Sequence, residues 1–135
     1  EIADKNGLKI RSWDSKYKLG QDSDCELSLI EASKFGYYID FGFLGSFNNL
    51  VYGICSDQRP YKDTHRKVLI DRKGNGLVNQ KKNEFTNWLW VGKFEEPFVN
   101  WNCNEPWLAI QNGTLKDNFN KKIEDLMQII RCFKD

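Results

Sequence analysis

Hydrophobic positions along this chain follow two rhythms, and the change from one to the other locates its elements. From Tyr37 to Phe43 the run Tyr-Tyr-Ile-Asp-Phe-Gly-Phe puts Ile39, Phe41 and Phe43 on one side of an extended backbone, where side chains alternate. Leu50-Val51-Tyr52-Gly53-Ile54-Cys55 has the same aromatic and β-branched character. Gly45-Ser46-Phe47-Asn48-Asn49 lies between them and is small and Asn-rich, so the three segments predict an antiparallel hairpin. Towards the C-terminus the step lengthens to three and four. Leu115, Phe119, Ile123, Leu126, Met127 and Ile130 form a single stripe on an amphipathic helix of about five turns. Thr114-Leu115-Lys116-Asp117 has the spacing of a capping box, with Asp for the usual Glu or Gln, and Gly113 ends the helix before it. The long helix should cover one face of the sheet.

Weaker signals fill in the remainder. Leu8 to Leu19 reads as a strand from the alternation at Leu8 and Ile10, although Trp13 and Tyr17 sit at helical spacing. Gln21 to Asp24 is a polar turn, and Cys25 to Phe35 suits either period through Leu27, Ile30 and Ala32. Gln58 to His65 is polar, contains Pro60 and reads as a loop. Val68-Leu69-Ile70 reads as a short strand closed by the turn Lys73-Gly74-Asn75-Gly76, and Asn79 to Thr86 has room for a short helix. Trp88-Leu89-Trp90-Val91 is a strand that stops at Glu95-Glu96-Pro97. Asn100 to Asn104 is a loop, and Glu105 to Gln111 a short helix with Pro106 in its first turn. The predicted class is α+β: a four- or five-stranded, mostly antiparallel sheet with the C-terminal helix packed on one face.

Composition narrows the function classes. The 135 residues fit one domain, with residues 1–7 as a linker entering it, and a start at Glu1 favours a C-terminal fragment of a longer chain. Charged residues make up 29%, yet the net charge is only +1, with both signs mixed throughout. Proteins that live on phosphate contacts usually show a basic excess, so contact with bare duplex would be local and modest. No apolar stretch reaches transmembrane length, and the expected setting is the cytoplasm, without a membrane. Cys25, Cys55, Cys103 and Cys132 are widely spaced and His65 is the sole histidine, so zinc would lack its usual ligands. Free buried thiols are the simplest reading of the cysteines, ahead of two long-range disulfides.

Catalytic signals are thin. Asp71-Arg72-Lys73 after an apolar triplet imitates half of a metal-nuclease signature, in which an acid holds Mg²⁺ and a lysine two residues on orients water. Acid-x-Lys occurs twice, at Asp14/Lys16 and Asp71/Lys73, which is roughly what chance supplies, and Asp63 is an unconvincing second acid. His65 lies in a polar stretch and reads as surface; the cysteines have no His partner for a thiol nucleophile. No nucleophile elbow or phosphate-binding glycine loop is present. Trp88 and Trp90 share a face of their expected strand and, with Trp101, could stack sugars or bases, although packing consumes most tryptophans in small domains.

In the order of its elements the chain resembles the C-terminal region of a bacterial group within the PD-(D/E)XK nuclease superfamily. The likeness runs through Tyr37 to Phe43, Leu50 to Ile54 with Tyr52-Gly53-Ile54, Trp88-Leu89-Trp90, Trp101, Pro106-Trp107-Leu108-Ala109-Ile110, Gly113, Leu115 and the amphipathic helix. It implies an α+β accessory region that follows a nuclease core. The metal-binding acids and lysine belong to that absent core, so no catalytic residue, metal ligand or cofactor is carried over, and Mg²⁺ is expected only there. The resemblance implies a non-catalytic domain for structural support or for recognition of DNA or another protein, in defence against foreign DNA. The basic run Arg59, Lys62, Arg66, Lys67, Arg72 and Lys73 supplies the candidate contacts. The alternatives are a free-standing carbohydrate- or ligand-binding module using Trp88, Trp90 and Trp101, and a small metal-dependent nuclease built on Asp71 and Lys73.

Overall fold

The structure, a computed structural model, describes residues 9–13, 26–30, 35–44, 49–56, 63–77 and 88–134, with backbone alone at 9–13, 26–30, 44 and 49. Its elements in chain order are β1 (Lys9–Trp13), β2 (Glu26–Ile30), β3 (Tyr37–Leu44), β4 (Asn49–Ser56), α1 (Asp63–Lys73), β5 (Trp88–Lys93), α2 (Glu105–Gln111) and α3 (Thr114–Ile130). The mixed, antiparallel character expected of the chain is present. Sequential neighbours pair antiparallel in the order β1-β2-β3-β4-β5. At the centre, β3 and β4 form the hairpin with Tyr37 opposite Ser56 and Leu44 opposite Asn49.

Alternation decides what each face buries. Tyr37, Ile39, Phe41, Leu50, Tyr52 and Ile54 join Leu89, Trp90 and Phe94 in the main core. The stripe of α3 closes over them with Ile123, Leu126, Met127 and Ile130 buried and Leu115 and Phe119 at its margin. Each fully buried aliphatic side chain removed from water contributes about 2 kcal/mol before conformational entropy is charged against it. On the opposite face, Val51, Cys55, Trp88, Val91 and Leu77 form a second cluster.

Three expectations are corrected. Residues 63 to 73 form a helix where a loop and the strand Val68-Leu69-Ile70 were expected. Asp63 in its first turn and Arg72 and Lys73 in its last complement the helix dipole, and Gly74, at φ 83°, ends it with its amide bonded to Ile70 O at 2.8 Å. Thr114 is inside α3 rather than at its cap. Gly113, at φ 82°, takes the cap position and Asn112 Oδ1 accepts the Thr114 amide at 2.9 Å. His65 is buried instead of lying at the surface, with Nδ1 2.8 Å from the Tyr37 hydroxyl and Nε2 2.7 Å from Lys134 O. The Lys134 carbonyl can only accept, so Nε2–H donates to it. Phe133 stacks on the imidazole at 4.4 Å, which ties the end of the chain to α1 and β3.

The expectations for residues 1–7, 14–25, 31–34, 57–62 and 78–87, including the polar turn at 21–24, the linker and Cys25, lie outside the described residues. Among the described residues no helix is long and apolar enough to cross a membrane.

Candidate functional site

The basic run does not make one open patch. Arg59 and Lys62 lie outside the described residues. Arg66 turns inward, with Nε donating to Leu89 O at 2.9 Å and Nη2 to Trp88 O at 3.0 Å. It fastens α1 to β5. Lys67 is exposed and pairs with Asp71 at 2.9 Å, one helical turn on. Arg72 is also exposed, its Nη2 lying 3.5 Å from Cys132 Sγ. Lys73 is half-buried against aromatic rings. In a helix residues two apart lie roughly 200° apart around the axis, so Asp71 and Lys73 do not share a face as they would on a strand. Among the described residues, no three His, Cys, Asp or Glu side chains gather where they could hold a metal ion.

The tryptophan surface takes a different form from the one expected. A bulge at Leu89 sets Trp90 opposite Ile54 and Trp88 opposite Cys55, which throws the two indoles to opposite faces of the sheet. Trp88, Trp90 and Trp101 are only 8%, 3% and 5% exposed, so protein already covers the faces a ligand would stack on. Trp101 donates Nε1–H to Phe98 O at 2.8 Å, and Trp90 donates Nε1–H to Gly74 O at 2.9 Å. The Trp90 ring lies over Gly92, where an added Cβ would run into the indole, and beside Gly76, where one would run into the Val91 carbonyl oxygen.

The exposed apolar surface is instead on α2. Pro106 and Ala109, three residues apart, face inward, which leaves Trp107, Leu108 and Ile110 outward at 49%, 55% and 50% exposure. Trp107 is nonetheless fixed: its Nε1–H donates to Trp101 O at 3.0 Å and its ring meets the Trp101 ring edge-on at 5.3 Å. Trp101 in turn meets Phe43 at 5.2 Å, so the exposed indole rests on a chain of rings that reaches the sheet. The sequence carried a signal for this. Trp107-Leu108-Ala109-Ile110 is four apolar residues in a row on a helix, and successive positions turn by about 100°, so they cannot all face one core.

No family model, curated protein or solved structure matches the chain.

A second cluster sits where α1 and α3 meet β4 and β5. Lys122, buried on α3, bonds to the Glu95 carboxylate and lies over the rings of Tyr52 and Phe94 at 5.0 and 5.3 Å. Lys73 lies over Tyr52 and Trp90 at 5.6 and 5.4 Å. Burial, followed by the negative charges of Glu95 and Asp125, pushes the Tyr52 hydroxyl up to about 12, so it remains a neutral phenol. Desolvation works to raise the Glu95 carboxyl, but the hydrogen bond and charge of Lys122 outweigh it and hold the group below the usual glutamate value. The arrangement places two cations on one aromatic ring, with a carboxylate bonded to one of them.

The cysteines divide by setting. Cys55 is buried with Val51, Trp88 and Val91 on the opposite face of the sheet, 3.8 Å from Asp40 Oδ2, whereas Cys103 is half-buried and Cys132 exposed, both as free thiols. Burial of the thiols thus holds for Cys55 and fails for the other two.

Proposed function

We propose that this chain is a non-catalytic α+β accessory domain, its sheet of four or five strands serving as a rigid platform for docking another protein surface. On this reading the surface is the remainder of a longer bacterial polypeptide of the PD-(D/E)XK nuclease type, whose accessory region the order of segments resembles. The observation that carries the docking role is Trp107, half exposed yet held by a hydrogen bond and an edge-on ring contact, with Leu108 and Ile110 beside it. A pre-positioned aromatic loses little side-chain entropy on binding, and aliphatic neighbours favour a protein surface over a sugar, which needs polar partners. The inward use of Arg66 and the pairing of Lys67 leave little free cationic surface for DNA on α1.

The test begins with the native reading frame upstream of Glu1. The polypeptide encoded there is expressed separately and titrated with this domain by calorimetry. The reading expects association that Trp107→Glu weakens at least tenfold while circular dichroism and Tm stay unchanged. A folded Trp107→Glu domain that binds as tightly as the parent, or an upstream polypeptide that does not bind at all, overturns it. Binding to a short DNA duplex with loss on Arg72→Glu would replace it with the DNA-recognition reading.

A further inference from the structure

The two edges of the sheet are finished differently. At β5 the backbone carbonyls are taken by groups from outside the sheet. Arg66 donates to Leu89 O at 2.9 Å and to Trp88 O at 3.0 Å, and the Leu77 amide donates to Val91 O at 2.8 Å. A strand arriving there would have to displace a guanidinium and a turn. β1 ends the sheet on the other side, with β2 as its neighbour among the described residues. The outer side of an end strand presents alternating N–H and C=O groups, a template for another extended chain. The register of β1 against β2 steps over Arg11, between Ile10 and Ser12.

Charge selects the occupant. Between positions 5 and 18 the sequence carries Lys5, Lys9, Arg11, Lys16 and Lys18 against the single acid Asp14, in a chain whose net charge is only +1. Pairing β1 with the same strand of a second copy would bring two such stretches together, and like charges opposed across strands are destabilising. The bulge at Arg11 adds twist, which further discourages flat self-pairing. Nucleic acid would answer the charge, but its phosphates offer acceptors alone and cannot complete a ladder. An extended acidic segment meets both demands.

We propose that β1 is a docking edge that takes an extended acidic peptide segment of another protein as an added strand. Main-chain hydrogen bonds supply the attachment, and the charge of Lys9 and Arg11 sets the choice of partner. The proposal does not rest on the docking surface of α2.

The experiment titrates the 135-residue chain into a short fluorescein-labelled peptide of alternating glutamate and threonine, followed by polarisation, with hydrogen exchange read on the same complex. Saturable binding should slow exchange at the amides of residues 9–13 and leave β5 unchanged. The same peptide N-methylated at alternate residues keeps its charge but cannot complete the ladder, and should bind about tenfold more weakly. Lys9→Glu/Arg11→Glu should weaken the glutamate peptide by a similar factor and turn the preference to its lysine counterpart. Lys116→Glu/Lys121→Glu makes the same change of net charge at exposed positions of α3 and should leave affinity within about twofold. Absence of saturable binding, unchanged exchange at 9–13, equal binding of the N-methylated peptide or an equal loss from the α3 pair overturns the proposal. Tighter binding of a single-stranded DNA of the same length does so as well. The N-methyl comparison uses the parent chain, so it decides the matter even where the β1 variant does not fold.

Discussion

Two helices cover the same face of the sheet and are held to it by different physics. α3 sets a continuous row of apolar side chains, Ile123, Leu126, Met127 and Ile130, against β3 and β4. α1 fully buries only Leu69 among its apolar residues, with Val68 and Ile70 partly buried against the core, and adds polar inward contacts from His65, Arg66 and Lys73. Burial of α3 is nondirectional and roughly proportional to area, so any similar stripe would do. Attachment of α1 depends on particular donors meeting particular acceptors, with geometry fixed to a few tenths of an ångström. An apolar stripe gives a helix its place; a polar set gives it a register.

Leu126→Ala tests the first mode and should have the largest effect. Leu126 is fully buried, so a cavity plus lost transfer energy costs about 3 kcal/mol, read as a lower urea midpoint at unchanged slope. Arg66→Met tests the second mode. It keeps most of the aliphatic stem but removes two hydrogen bonds from a charged donor, leaving Trp88 O and Leu89 O without it, for a loss of about 2 kcal/mol. A loss of only a few tenths would mean that the apolar contacts of Val68, Leu69 and Ile70 hold α1, and the contrast between the helices would fail.

The junction between the two helices has its own pH signature. Tyr52 is raised from 10.0 to about 12, so the folded chain keeps a proton that the unfolded chain has already lost. Its contribution is intact below pH 10 and falls away as pH rises towards 12, at roughly 2 kcal/mol in total. Lys73 has the opposite sign: its lowered value leaves the unfolded chain holding more proton, so its share of stability rises with pH until the ordinary value of 10.5 is passed. Tyr52→Phe should therefore flatten the alkaline limb of a stability-against-pH curve; an unchanged limb would assign the loss to other groups. The smallest effect belongs to Lys67→Ala, which breaks an exposed pair within α1. Equilibrium unfolding should change by less than about 0.5 kcal/mol.

The same contrast explains what could be read from the sequence. β3, β4 and α3 follow from periodicity because each buries a recognisable apolar set, and α2 from Pro106 in its first turn. α1 did not, because its inward positions 65, 66, 69 and 73 are His, Arg, Leu and Lys, and the β-branched pair Val68 and Ile70 imitates a strand. Hydropathy assigns arginine and histidine to solvent and has no means of anticipating backbone carbonyls waiting for them. Trp88 and Trp90 were placed on one face by strict alternation, which a bulge at Leu89 cancels. For the candidate docking residues the information was present: four consecutive apolar positions on a seven-residue helix exceed what one buried face can absorb.

The bed of Trp90 carries a consequence for the evolution of this chain. Its indole lies over Gly92 and beside Gly76, which is at φ 58°, and hydrogen-bonds to Gly74 O. A methyl group at position 92 would collide with the ring, so that glycine cannot drift while the tryptophan remains, whereas one at 76 would run first into the Val91 carbonyl oxygen. Once position 90 carries a smaller side chain, the steric veto at 92 is lifted. Position 76 keeps a separate preference for glycine from its left-handed backbone. Among divergent descendants, alanine at 92 should therefore be found with loss of the indole at 90, while glycine at 76 outlasts both changes.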